Sequence, residues 1–131
     1  MNRRIIYSEK APKPIGPYSQ AVIIDKLVFL SGQIGISIET GNLVNGGVIE
    51  ETKQIFQNFK AVLAEVDASL DDIIKTTVYM TDLTKFSDMN RIYNEQFTKD
   101  YPARATVQVS ALPKGACVEI EAIAIINDSK I

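Results

Sequence analysis

The sequence predicts a single α+β domain in which a mostly antiparallel sheet carries two helices on one face. Three observations predict it. The chain has 131 residues, the length of one domain. Two segments, Val48–Val66 and about Lys85–Thr98, repeat apolar residues with helical period. The segments around them have the length and the β-branched and aromatic content of strands, in the order β, β, β, α, β, α, β, β. A sheet covered on one face leaves the other bare, and self-association is the natural way to bury apolar side chains there.

Each element has its own local signal. Ala11-Pro12-Lys13-Pro14-Ile15-Gly16-Pro17 is a stiff extended segment, because each proline fixes its own φ and pushes its predecessor out of the helical region. Ser19–Ile24 and Leu27–Ser31 place two of the leading strands, and the two polar residues between them, Asp25 and Lys26, suggest a hairpin. Thr40-Gly41-Asn42 reads as a turn and Asn45-Gly46-Gly47 as a loop. In the first helix Ile55, Phe56, Phe59, Val62, Leu63 and Val66 form a buried stripe, with Glu50, Glu51, Lys53, Gln54, Lys60 and Glu65 on the other side. Asp67–Asp72 breaks that pattern before a strand at Ile73–Met80. Phe86, Met89, Tyr93 and Phe97 are the stripe of the second helix, which Asp82-Leu83-Thr84 leads into, and Pro102 closes the section. Arg104–Val109 and Val118–Ile126 are the last two strands. Arg104, Thr106 and Gln108 alternate with Ala105, Val107 and Val109, and Glu119 shares a face with Glu121.

Composition excludes several chemistries. The chain has no His, so a Ser–His or Cys–His nucleophile pair and a His-built zinc site are ruled out. Its single Cys, Cys117, forms no intramolecular disulfide, which fits a reducing compartment. Without a His to lower its pKa, Cys117 reads as structural or incidental. No apolar run approaches the ~18 residues of a membrane helix. The opening residues have no apolar core of a signal peptide, so a cytoplasmic protein is expected. With 14 Lys+Arg against 16 Asp+Glu and no long basic run, nucleic-acid binding is not expected either.

Arg104, at the start of its strand, is the most informative local feature. If Arg104–Val109 and Val118–Ile126 form a hairpin, a simple register sets Thr106 opposite Glu121 and Gln108 opposite Glu119. A two-residue slip brings Glu119 opposite Thr106. Either register puts a guanidinium, a hydroxyl and two carboxylates on one sheet face. The planar fork of Arg suits a carboxylate ligand, and a nearby Glu can orient or deprotonate a water. Spacing alone favours an ordinary cross-strand salt bridge instead. Gly16-Pro17-Tyr18-Ser19 and Ser31-Gly32-Gln33 offer hydroxyls at Tyr18 and Ser31 and a close backbone approach at Gly32. Taken alone, they are better read as turn chemistry with Tyr18 capping the core. Asn90, on the second helix, is by itself a solvent-facing or helix-bonding amide.

These pieces, in this order, resemble the RidA/YjgF family of reactive-intermediate (enamine/imine) deaminases. The matching stretches are Ala11-Pro12, Ile15 to Ala21, Ser31-Gly32-Gln33-Ile34, Lys75-Thr76-Thr77-Val78-Tyr79, Asp82-Leu83, Phe86, Tyr101-Pro102-Ala103-Arg104, Leu112-Pro113-Lys114 and Glu119 to Ala124. The match spans nearly the whole chain, 1–131, as one domain. The resemblance implies a chorismate-mutase-like α+β fold and a homotrimer with ligand clefts between neighbouring subunits. It implies hydrolysis of 2-iminobutanoate and 2-iminopropanoate to 2-keto acids and ammonia. These imines come from enamines, such as 2-aminoacrylate, released by pyridoxal-phosphate dehydratases. It implies no cofactor and no metal; that there is no nucleic-acid or membrane partner is expected from charge and composition alone. Arg104 matches the family's carboxylate-binding arginine. Glu119, rather than Glu121, matches the glutamate beside the attacking water. Tyr18, Ser31 and Asn90 match cleft-lining residues, and Gly32 one whose backbone contacts the ligand.

The chain departs from a common family pattern at Thr106, where many members carry Cys; its backbone N–H remains available to a ligand. That departure motivates an alternative, a non-catalytic ligand-sensing or regulatory trimer. A third reading, a nuclease or translation inhibitor, is disfavoured by the net charge of −2 and by the absence of His and of a basic run.

Overall fold

The computed structural model describes residues 2–127; Met1 and residues 128–131 of the expected domain lie outside the described residues. Six strands form one sheet: β1 (Arg3–Ile6), β2 (Ala21–Ile24), β3 (Leu27–Gln33), β4 (Ile73–Met80), β5 (Ala103–Gln108) and β6 (Val118–Ile125). Two helices, α1 (Gly47–Ala64) and α2 (Phe86–Asn94), cover one face. The spatial order is β1-β2-β3-β6-β4-β5. Every neighbouring pair is antiparallel except β4 and β5, which run parallel. The fold class is the one the sequence predicts. No helix among the described residues is long and apolar enough to cross a membrane.

The helices form where apolar periodicity demands a partner. In α1, Val48, Ile55, Phe56, Phe59, Val62 and Leu63 are buried against the sheet. Met89, Ile92 and Tyr93 do the same for α2. Phe56 lies at the centre, its ring edge-on to Phe59, Tyr93 and Phe97 at centroid distances of 6.0, 5.5 and 5.7 Å. The second helix ends at Asn94, short of the expected Thr98, because the backbone N–H of Thr98 donates to Asp71 Oδ1 at 2.9 Å instead of to a helix carbonyl. Hydrogen bonds from the Thr98 hydroxyl and then from its N–H hold the Asp71 carboxyl below its ordinary pKa.

The expected β2–β3 hairpin is present, with Ile24 opposite Leu27 and Asp25 in the left-handed region at φ 52°. β1 is an edge strand that the sequence signals did not locate.

The expected β5–β6 hairpin is not present. β4 lies between the two strands: Thr76 is opposite Arg104 on one side and Ala122 on the other, while Tyr79 is opposite Val107 and Glu119. Cross-strand partners share a face. Arg104 and Thr106 therefore lie on the helix-covered face with Thr76, Val78 and Ile120. Glu119 and Glu121 lie on the open face with Thr77 and Tyr79. Both registers considered from sequence joined these groups on one face, and the inserted strand separates them. The open face also carries Ile5, Phe29, Val107 and Ile125, each at least 41% exposed. It is the bare apolar surface the layer argument anticipated.

Candidate functional site

A bulge in β3 builds the first half of the site. Leu30 pairs with Ala122 and Gln33 with Ile120, so β3 carries one extra residue between them, at Ser31-Gly32. The bulge brings the Gly32 backbone against the Glu119 side chain. A Cβ on Gly32 would stand 3.0 Å from Glu119 Cδ and 3.3 Å from Cγ. Glycine is thus the residue that admits the carboxylate. Glu119 is half-buried, and its pKa is raised, first by burial and then by the neighbouring negative charge of Glu121. Tyr79, its cross-strand neighbour, has its phenol pushed up by burial and by Glu121.

Around this carboxylate lies a cleft of about 940 Å³ lined by Tyr18, Ser31, Gly32, Glu119, Glu121 and the side chain of Lys114, among others. The buried Gln20 ties the Pro-rich segment to its wall. Gln20 Oε1 accepts from the Ser8 N–H at 2.6 Å, and Nε2 donates to the Ser8 and Pro12 carbonyls, each at 3.0 Å. Ser31 Oγ donates to the Ser19 carbonyl at 2.6 Å, so a ligand could meet it only as an acceptor. Tyr18 is half exposed rather than capping the core. The four predicted residues Tyr18, Ser31, Gly32 and Glu119 come together here.

The second half lies across the sheet. Arg104 is half-buried on β5, an edge strand. Its guanidinium carbon is 4.7 Å from the ring centre of Tyr93 and 5.4 Å from that of Phe86, both on α2. Among the described residues no carboxylate pairs with it, so the salt bridge that spacing favoured does not form. Asn90 is exposed, four residues after Phe86 and three before Tyr93, on the same side of α2. Thr106 is two residues along the strand from Arg104, on the same face; its Oγ1 is buried with no hydrogen-bond partner among the described residues.

The predicted residues thus fall into two groups, {Tyr18, Ser31, Gly32, Glu119} and {Asn90, Arg104, Thr106}, on opposite faces of one sheet. One chain offers a guanidinium at one place and a half-buried carboxylate at another. Phe86 and Tyr93 escaped the site reading because their helical spacing identified them as core. Cys117, outside both groups, is half-buried; burial and the adjacent Glu51 raise its thiol pKa, and its backbone N–H donates to Glu51 Oε1 at 2.8 Å. No group of three or more His, Cys, Asp or Glu side chains among the described residues is placed to hold a metal ion.

Comparison with known proteins supplies context. Residues 8–126 match the family model described as endoribonuclease L-PSP. A RutC family protein of Pyrococcus abyssi is 51% identical over 95% of this chain and 98% of its own. The human 2-iminobutanoate/2-iminopropanoate deaminase is 48% identical over 94% of this chain and 90% of its own. The crystal structure of RidA from the Antarctic bacterium Psychrobacter sp. PAMC 21119 superposes with a TM-score of 0.90 at 43% identity, covering 94% of this chain and 99% of that one.

Proposed function

The chain belongs to the RidA/YjgF family, and from that premise we propose that it is a 2-imino acid deaminase, hydrolysing 2-iminobutanoate and 2-iminopropanoate to 2-keto acids and ammonia. The observation that carries the proposal is the Glu119 carboxylate, half-buried, raised in pKa and seated on Gly32 at the wall of the cleft. Its position suits it to take a proton from water and return it to nitrogen. Water adds to C2 of the protonated imine, a C–O bond forms, and the C=N π pair moves to nitrogen. Glu119 then carries the water's proton to nitrogen; an oxygen lone pair forms the C=O bond as the C–N bond breaks, ammonia leaves, and the remaining hydroxyl proton is lost to give the 2-keto acid. Arg104 binds the substrate carboxylate and orients C2 toward that water. The substrate is already electrophilic, so positioning and one carboxylate supply the acceleration required.

Arg104 and Glu119 leave opposite faces of a single sheet, and this reaction needs both. We therefore place the complete site between copies of the chain, in a homotrimer whose bare apolar faces are buried together, acting in the cytoplasm on intermediates released there.

The test follows keto-acid and ammonia formation from imines generated in situ by a threonine or serine dehydratase. Wild-type protein is expected to accelerate release, with Arg104→Ala and Glu119→Gln folded and inactive. Wild-type activity in either variant refutes the assignment. Tight 2-oxobutanoate binding without any turnover would replace it with a ligand-sensing role.

A further inference from the structure

We propose that Tyr93 and Phe86 are positioning residues that hold the Arg104 guanidinium between their rings and leave its N–H fork free for the substrate carboxylate. The carboxylate's role rests on the deaminase reading above; the clamp rests on geometry. A half-buried guanidinium on a long flexible stem ordinarily settles against a carboxylate of its own protein. Among the described residues Arg104 has no such partner, and its neighbours are two aromatic rings at 4.7 and 5.4 Å. The difference matters chemically. A protein carboxylate would fix the side chain but occupy the donors a substrate needs. A ring face attracts the cation through its quadrupole and consumes no N–H donor. The rings thus restrain the rotamers of Arg104 before the ligand arrives, which lowers the entropy that binding must overcome.

The inner ring is itself immobilised. Tyr93 is 4% exposed, its hydroxyl is 2.7 Å from Thr76 Oγ1, and its ring lies against Phe56 and Phe97 at 5.5 and 5.1 Å. Thr76 is the cross-strand partner of Arg104 in β4. The phenol is therefore anchored on the residue beside the one whose side chain its ring supports. Phe86, seven residues earlier and so two helical turns away on the same side of α2, supplies the outer ring and is 36% exposed.

Titration calorimetry with 2-oxobutanoate, alongside KM and kcat in the dehydratase-coupled assay, tests the clamp on the full chain. Tyr93→Leu is expected to raise both Kd and KM about tenfold with kcat within about twofold of wild type. Tyr93→Phe, which keeps the ring and its packing on Phe56 and Phe97 but loses the hydroxyl anchor, is expected to raise Kd and KM by no more than about threefold. Phe86→Leu, at a partly exposed position, is expected to raise Kd and KM about fivefold; it carries the test alone if Tyr93→Leu does not fold. Unchanged Kd and KM in the folded leucine variants overturn the clamp, as does a Tyr93→Phe variant as impaired as Tyr93→Leu. Ring-dependent 2-oxobutanoate binding in a protein that hydrolyses no imine leaves the clamp standing and removes the deaminase reading. Absence of any Arg104-dependent carboxylate binding overturns both.

Discussion

Replacing Gly32 by alanine should separate activity from stability. The backbone there is outside the left-handed region, so alanine adopts it without strain. The obstacle is space. The new methyl would stand 3.0 Å from Cδ and 3.3 Å from Cγ of Glu119 and nearer still to one carboxylate oxygen, whereas relaxed contacts begin near 3.5 Å. The carboxylate must retreat by roughly 1 Å, and a displacement of that size at a reacting group costs on the order of a hundredfold in rate. The expected fall in kcat/KM is thus about a hundredfold, equivalent to ~2.7 kcal/mol at the transition state. Stability should fall by less than about 1 kcal/mol, because the half-buried end of Glu119 can swing toward the cleft, unlike a side chain in a closed core. The dehydratase-coupled assay gives the rate and calorimetric melting the stability. Pairing Gly32→Ala with Glu119→Asp, which withdraws the carboxylate by one methylene, should recover part of the lost rate. Full kcat/KM in the single variant would refute the claim that this contact places the carboxylate.

Three further outcomes follow from other contacts. At Gly35 an added Cβ would lie 2.8 Å from Glu51 Cα, a backbone atom of α1 that cannot swing aside; Gly35→Ala should destabilise by about 2 kcal/mol, visible as a Tm several degrees lower, and an unchanged Tm would contradict it. Glu119 has a raised pKa in the folded chain, so the fold is favoured while the group is protonated and loses that advantage as pH rises through its folded pKa; Glu119→Gln should therefore melt above wild type at pH 7.5, with the gap closing toward pH 4, and a gap that widens on acidification would show the sign is wrong. Phe29 is 41% exposed on the open face, and Phe29→Asp should yield monomers by sedimentation and abolish turnover, whereas an intact oligomer would remove this face from the assembly.

What could be read from sequence was what local physics decides. Ile73–Met80 is a strand with the bounds expected, because β-branched residues crowd eight positions between polar stretches. The stripe from Ile55 to Leu63 is buried as its period requires. The expected β5–β6 pairing fails because β4, distant in sequence, lies between the two strands. Which strand fills the gap between two others depends on long-range pairing that no window of sequence contains. The same limit applied to the site. Arg104 and Glu119 were identifiable by chemical type, yet alternation assigns a face only relative to a partner, and the partner was β4. Tyr93 was placed correctly in the core stripe; that its ring also meets a guanidinium depends on the register of Thr76 with Arg104.

The position of β6 bears on how the molecule is made. The last of the six strands to be synthesised lies between β3 and β4, near the middle of the sheet. Until it arrives, the nascent chain holds two unconnected blocks, β1-β2-β3 and β4-β5, each with a raw strand edge that invites pairing with other chains. Glu119 rides on that closing strand. The Glu119 carboxylate is thus installed in the same event that completes the sheet, and a stalled or truncated chain is an aggregation hazard that lacks it.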